Sequence, residues 1–224
     1  MTDEHARNEL DSLVITMELT LMSIIQGIAL YFLADSSVDL LTRMQIEWWP
    51  YVLVGLLVIL LFWSRSLMHI LTIIRWPLEF THNFMYITFT LIESVMFKQI
   101  TVVQNWYALN VLASVLIWMT FAVDLRMIRR SKTGATTPAS MELIDILQRD
   151  QELNLRLIVP LMMFFSALAC AFVYSMPELF VFRHGHLIFA GSQILFLSVY
   201  IVYSLRLYRR IAPLILRQRQ EGWS

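Results

Sequence analysis

Six apolar runs, at about 13–34, 49–68, 77–98, 106–127, 156–176 and 186–208, set the terms for this chain. About 20 apolar residues in a helix cross the hydrocarbon core of a bilayer. A transmembrane β-strand needs about ten, with strict alternation of apolar and polar positions. The runs are too long for such strands and are apolar on most faces. The expected fold is therefore all-α: a polytopic membrane protein with six transmembrane helices. Composition agrees, because only 15% of the residues are charged and 58% are hydrophobic, whereas soluble domains are about a quarter charged. The opening MTDEHARNEL lacks the basic segment of a cleavable signal, so the first run is expected to persist as a span. Cys170 is the only cysteine, which excludes an intrachain disulfide framework.

Basic residues orient the bundle. With the N-terminus inside, only Arg43, Lys98 and Arg183 of the 17 Lys and Arg residues fall outside, as the positive-inside tendency requires. Both termini are then cytoplasmic, and a plasma (inner) membrane is the expected location. The organisation reads as a cytoplasmic segment 1–12, one transmembrane domain 13–212 and a cytoplasmic tail 213–224. Trp48, Trp49, Trp76 and Trp106 fall at span ends and read as interfacial anchors. The second run continues past membrane length to Arg75, as either a long tilted helix or an interfacial turn before Pro77.

The long cytoplasmic connection between the fourth and fifth spans, 131–155, is broken by Gly134 and Pro138, with Ser140 as a candidate helix cap. Beyond it, Asp145/Arg149 and Glu152/Arg156 form i,i+4 opposite-charge pairs. Leu143, Ile146 and Leu147 give this amphipathic helix one apolar edge, suited to the membrane surface, to the other helices or to a partner.

Polar groups inside the spans carry what functional signal there is, since an ionisable group within hydrocarbon costs about 2.5–3.5 kcal/mol on insertion scales. In the third span Glu79, His82, Tyr86, Thr90 and Glu93 share one helical face. The sixth aligns His186, Gln193, Tyr200 and Ser204, and the fourth carries Asn110, Ser114 and Asp124. In the first, Thr16, Thr20, Ser23 and Gly27 form a small-residue stripe suited to close packing, while Glu18 points roughly away from it and Gln26 lies about 80° from Glu18. Glu18 therefore needs another neighbour, a hydrated cavity or an oligomer contact.

Other chemistry is not supported. No zinc-protease helix, Gly-rich phosphate loop or nucleophile elbow occurs, and the two lysines sit at span ends. His184 and His186 with Glu178 make only a poor metal set, because two histidines at i,i+2 do not share a helix face. His69 and His82 flank one loop, away from the bundle centre where a haem would sit. No cofactor and no nucleic-acid partner are expected. Phe80-Thr-His82 is similar to the Phe-Ser-Asp segment of a bacterial potassium-channel family, but a histidine replaces the aspartate and the segment lies in the third span instead of the first, so no family is assigned.

The leading expectation is a channel or transporter for a small ion, proton or solute, working as an oligomer; an intramembrane enzyme or redox subunit using His82 or His184/His186 is a third, less favoured class. Its path would run along the third span, with Glu18, Gln26, Glu79, His82, Tyr86, Thr90, Glu93 and Gln193 as candidate lining residues. Arg126, Arg129, Arg130, Arg206, Arg209 and Arg210 would meet anionic lipid headgroups, at about 1 kcal/mol each. The alternative is a non-catalytic scaffold or subunit of a larger membrane complex.

Overall fold

The computed structural model describes residues 2–73, 80–132 and 137–221, with side chains from 9 to 73, 80 to 132 and 137 to 218. Among these residues the fold is all helical, with seven α-helices: α1 Thr2–Thr42, α2 Trp49–Thr72, α3 Phe80–Lys98, α4 Val103–Lys132, α5 Pro138–Leu153, α6 Val159–Ser175 and α7 His186–Glu221. Five stretches are long and apolar enough to cross a membrane: Glu9–Thr42, Ile46–Thr72, Val103–Lys132, Pro138–Ser175 and His186–Gln218. Their outward faces carry large apolar side chains such as Leu30, Trp63, Phe164, Leu195 and Val199. Such surface is tolerable where the solvent is lipid. The chain is thus a multi-pass membrane protein. α3 is not among the five, and His82, Asn83, Thr90, Glu93 and Ser94 are the residues that lower its apolarity.

The helices pack as a ring. α2 lies between α1 and α7, α3 between α1 and α4, and α6 lies on α4, with α7 closing the ring more loosely. α5 lies against α4 and α7 at the end of the bundle that carries both chain ends. Its start is well specified. Thr137 is the N-cap, its hydroxyl accepting from the Ser140 backbone N–H at 3.2 Å while Ser140 Oγ accepts from the Thr137 N–H at 3.1 Å. Pro138 occupies the first turn, where its missing N–H costs nothing. The cap is therefore Thr137, and Ser140 is its reciprocal partner.

Leu143, Ile144 and Leu147 of α5 are buried against Met68 and Ile73, Met127 and Ile128, and Leu207, Ile211 and Leu214. The apolar edge of the connection thus packs on the chain's own helices. Its charges also look across: Asp145 pairs with Lys132 at 2.7 Å and Glu152 with Arg129 at 3.1 Å. α4 supplies both cations, in place of the i,i+4 partners on α5 that the spacing suggests. α5 then runs into α6 through a π-helical turn, Asn154–Ile158. Pro160 has no N–H for the Arg156 carbonyl and its ring crowds it, which favours a widened turn at this point.

α2 continues helically to Thr72, so the second run is one long helix up to that point. α7 likewise continues through Pro213 to Glu221, beyond the expected span end, and buries Leu214 and Ile215. Two further sequence expectations change. Trp106 is fully buried, edge-on to Tyr51 at 5.0 Å between ring centroids, and is a core residue instead of an interfacial anchor. Thr16, Thr20, Ser23 and Gly27 face outward, and the three hydroxyls bond back to the carbonyls four residues earlier. α1 instead buries the face holding Glu18, Met22, Gln26, Ala29 and Leu33, because shielding a carboxylate outweighs the gain from close packing of small residues.

Candidate functional site: the bundle axis

α1 and α3 run parallel with a fixed register. Glu18 Oε1 accepts from Asn83 Nδ2 at 2.7 Å, and near the opposite end Lys98 pairs with Asp35. Glu18 thus finds its neighbour on the third span, through Asn83. Gln26, Thr90 and Glu93 are also buried, and among the described residues no hydrogen-bond partner is present for either amide atom of Gln26, the Thr90 hydroxyl or either Glu93 oxygen. His82 and Tyr86 are buried as well, their rings 4.1 Å apart. Glu79 lies outside the described residues. The polar face of α3 is therefore turned inward, as its periodicity predicts.

The interior of the ring contains two cavities. One, about 130 Å³, lies toward the end with the chain termini and is lined by Arg65, Ser66, His69, Tyr86, Asp124, Asp150, Gln151 and Tyr200 among others. The second, about 250 Å³, lies farther along and is lined by apolar side chains with Asn110, Ser114, Ser166 and Gln193. They share one wall: Val58, Phe89, Ile117, Met162, Phe196 and Leu197. Of the third-span candidates only Tyr86 lines either cavity, while Gln193 lines the second.

The first cavity sets a connected group of polar side chains in a mainly apolar lining. Arg65 Nη2 meets Asp150 Oδ2 at 2.5 Å, and Tyr203 donates to Asp150 Oδ1 at 2.7 Å. The guanidinium lies over the rings of Phe121 and Tyr200 at 5.7 and 5.9 Å. Tyr200 donates to Asn154 Oδ1, and Asn154 donates to the Asp150 carbonyl at 2.8 Å, so the π-turn is tied into the same network. Asp124 Oδ2 accepts from Gln151 Nε2 at 3.2 Å. Its Oδ1 lies 3.2 Å from His82 Nε2 and 3.7 Å from His69 Nε2. The two imidazoles stack with centroids 4.6 Å apart.

Beyond the second cavity, Tyr51, Tyr107 and His186 form a buried cluster. Tyr51 Oη is 2.7 Å from His186 Nδ1, and Tyr107 donates to the His186 carbonyl at 3.0 Å. His186 also stacks on Trp48 at 5.4 Å. Its ring stays edge-on to His184 at 5.8 Å between centroids, but Nδ1 is engaged by Tyr51, and Glu178 and His184 are both exposed. Among the described residues, His69, His82 and Asp124 are the one set of three whose ligand atoms converge. Arg126, Arg129, Arg130, Arg206, Arg209 and Arg210 are all exposed, at the terminal end of α4 and along the last turns of α7.

Arg65, His69, Asp150, Gln151 and Tyr203 were not expected in a site. Arg65, His69 and Tyr203 stand near the ends of expected spans and Asp150 and Gln151 in the expected connection, where hydration would satisfy them; with His82 and Asp124 the ring brings five helices to one point. The available signal was weak: Arg65 and Asp124 each interrupt strongly apolar sequence. Compared with known protein families, with curated proteins and with solved structures, the chain matches none.

Proposed function

We propose that this protein is a small channel or transporter, moving a small ion or solute along the axis of its own helical ring. The observation that supports this reading is two cavities in succession along the ring with one shared apolar wall, which we read as a neck. Charged and hydrogen-bonding groups line one side, the amides and hydroxyls of Asn110, Gln193, Ser114 and Ser166 line the other, and Val58, Phe89, Ile117, Met162, Phe196 and Leu197 stand between. A hydrophobic constriction between wetted chambers gates by excluding water. In this reading six helices cross the membrane, α3 included. Both termini are cytoplasmic, α5 lies at the cytoplasmic mouth, and the exposed arginines of α4 and α7 meet lipid headgroups. The path lies within one chain, so conduction does not require an oligomer.

The test is flux in proteoliposomes. Wild-type protein should pass at least one of protons, alkali cations or halides faster than protein-free vesicles. Phe196→Ala, which opens the neck, should raise that flux. Glu18→Gln and Glu93→Gln ask whether the α1–α3 seam contributes, since only a seam in the path makes them alter flux in a folded protein. Flux at the protein-free level for every ion, in both wild type and Phe196→Ala, would sink the proposal.

A further inference from the structure

We propose that His69, His82 and Asp124 form a binding site for one divalent transition cation of the zinc class. Three helices contribute one ligand each, α2, α3 and α4. Their candidate ligand atoms all lie within 4.8 Å of one another. The carboxylate oxygen Asp124 Oδ1 stands 3.2 Å from His82 Nε2 and 3.7 Å from His69 Nε2. Ligand atoms bound tetrahedrally at zinc distances sit about 3.3–3.5 Å apart, close to the two distances from Asp124 Oδ1; the stacked imidazoles must turn to aim both lone pairs at one ion.

The hydrogen bonding of these groups points to a ligand. Both ring nitrogens of His82, Nε2 of His69 and Oδ1 of Asp124 have no hydrogen-bond partner among the described residues. The three side chains are only 9%, 1% and 10% exposed. Buried polar atoms are ordinarily satisfied, and here three unsatisfied atoms, one from each residue, converge. His82 Nε2 stands 3.2 Å from Asp124 Oδ1, within ion-pair distance, but that contact alone leaves His69 Nε2 and His82 Nδ1 without partners among the described residues. A cation accepting lone pairs from all three residues explains the convergence.

The surroundings complete the site. Gln151 Nε2 holds Asp124 Oδ2 at 3.2 Å, which leaves Oδ1 turned toward the imidazoles. Outer partners of this kind orient metal-binding carboxylates. His69 and Asp124 also line the 130 Å³ cavity, from which a water or other small ligand can complete the coordination. Two imidazoles and one carboxylate suit Zn²⁺, Co²⁺ or Fe²⁺, whereas Mg²⁺ and Ca²⁺ prefer all-oxygen sites. Occupancy is an equilibrium property and holds whether or not the protein conducts.

The experiment titrates chelator-stripped, full-length protein in detergent with Co²⁺. Wild type should develop a saturable visible d–d band at one equivalent per chain, displaced by Zn²⁺ and unmoved by excess Mg²⁺. His69→Ala, His82→Ala and Asp124→Asn should each abolish it. Gln151→Ala should weaken Co²⁺ binding roughly 10–100-fold, and His184→Ala should bind as wild type does. Circular dichroism and gel filtration report folding; if a ligand variant does not fold, its glutamine counterpart replaces it at the histidines. The wild-type titration decides by itself, since no saturable band there overturns the site. So does a stoichiometric band that survives in the folded ligand variants.

Discussion

The guanidinium of Arg65 on α2 meets the carboxylate of Asp150 on α5 at 2.5 Å, inside the bundle. Asp150 is 4% exposed at its side chain and Arg65 16%. This pair fastens the connecting helix to the ring, and Tyr203 adds a third helix through its bond to Asp150. Desolvating two charges offsets much of their attraction, but removing one leaves the other buried and unpaired, which costs about 3–5 kcal/mol. Asp150→Ala and Arg65→Ala should each lower the melting temperature sharply in detergent. The double variant Arg65→Met/Asp150→Leu should recover most of the loss. Failure of the double variant to recover would mean that the stabilisation lies in the wider network of Tyr200, Tyr203 and Asn154.

Glu18 and Asn83 pose a separable question across the α1–α3 seam. Asn83 Nδ2 donates to Glu18 Oε1 at 2.7 Å, and both residues are buried. Asn83→Ala strands the carboxylate, at about 1–3 kcal/mol. Glu18→Gln keeps an acceptor for the Asn83 amide and should melt close to wild type. Thermal denaturation of the two variants side by side checks this; equal destabilisation would mean that charge, and not the hydrogen bond, matters at Glu18.

Glycines give a contrast that depends on packing alone. A Cβ at Gly55 would stand 2.8 Å from Phe97 Cε1 and 2.9 Å from Leu33 Cδ1, where α2 approaches α1 and α3. At Gly27 and Gly191 a Cβ would meet nothing within 4 Å. Gly55→Ala should destabilise by about 1–3 kcal/mol, as overpacking does. Gly27→Ala and Gly191→Ala should be neutral or gain up to about 1 kcal/mol from helix propensity. Melting temperatures of the three variants decide it, and a tolerated Gly55→Ala would mean that the close approach of Phe97 relaxes freely.

The helices were legible because apolar length is a one-dimensional signal. The inward face of α3 was legible because His82, Tyr86, Thr90 and Glu93 recur at helical spacing on one element. The cluster of His69, His82, Asp124 and Gln151 was not, since it takes its members from four helices and no spacing within one run records which helices touch. Arg65 and Asp150 are separated by 85 residues. Trp106 differs for another reason: residue type and position at a span end favour an anchor, and only tertiary packing, including the edge-on contact with Tyr51, buries it. The small-residue stripe of α1 lost to Glu18, whose burial fixed the opposite face inward.

Glu93 is fully buried on α3, and neither carboxylate oxygen has a hydrogen-bond partner. Unlike Glu18, it accepts no hydrogen bond from an amide among the described residues. A buried polar group without a compensating bond costs roughly 1–3 kcal/mol by mutational measures. Replacing it removes that penalty without orphaning any partner. Glu93→Leu should therefore raise the melting temperature, whereas Asn83→Ala in the same seam lowers it. Residues that weaken a fold and yet persist at buried membrane positions do so where water or an ion reaches them. Flux measured on the stabilised Glu93→Leu protein then separates the two cases. A more stable protein with lost flux assigns Glu93 to the path, and a more stable protein with unchanged flux leaves the route to the cavities lined by α2, α4 and α7. A fall in melting temperature would show that Glu93 is bonded in the membrane after all, and would withdraw the claim that it is unpaired.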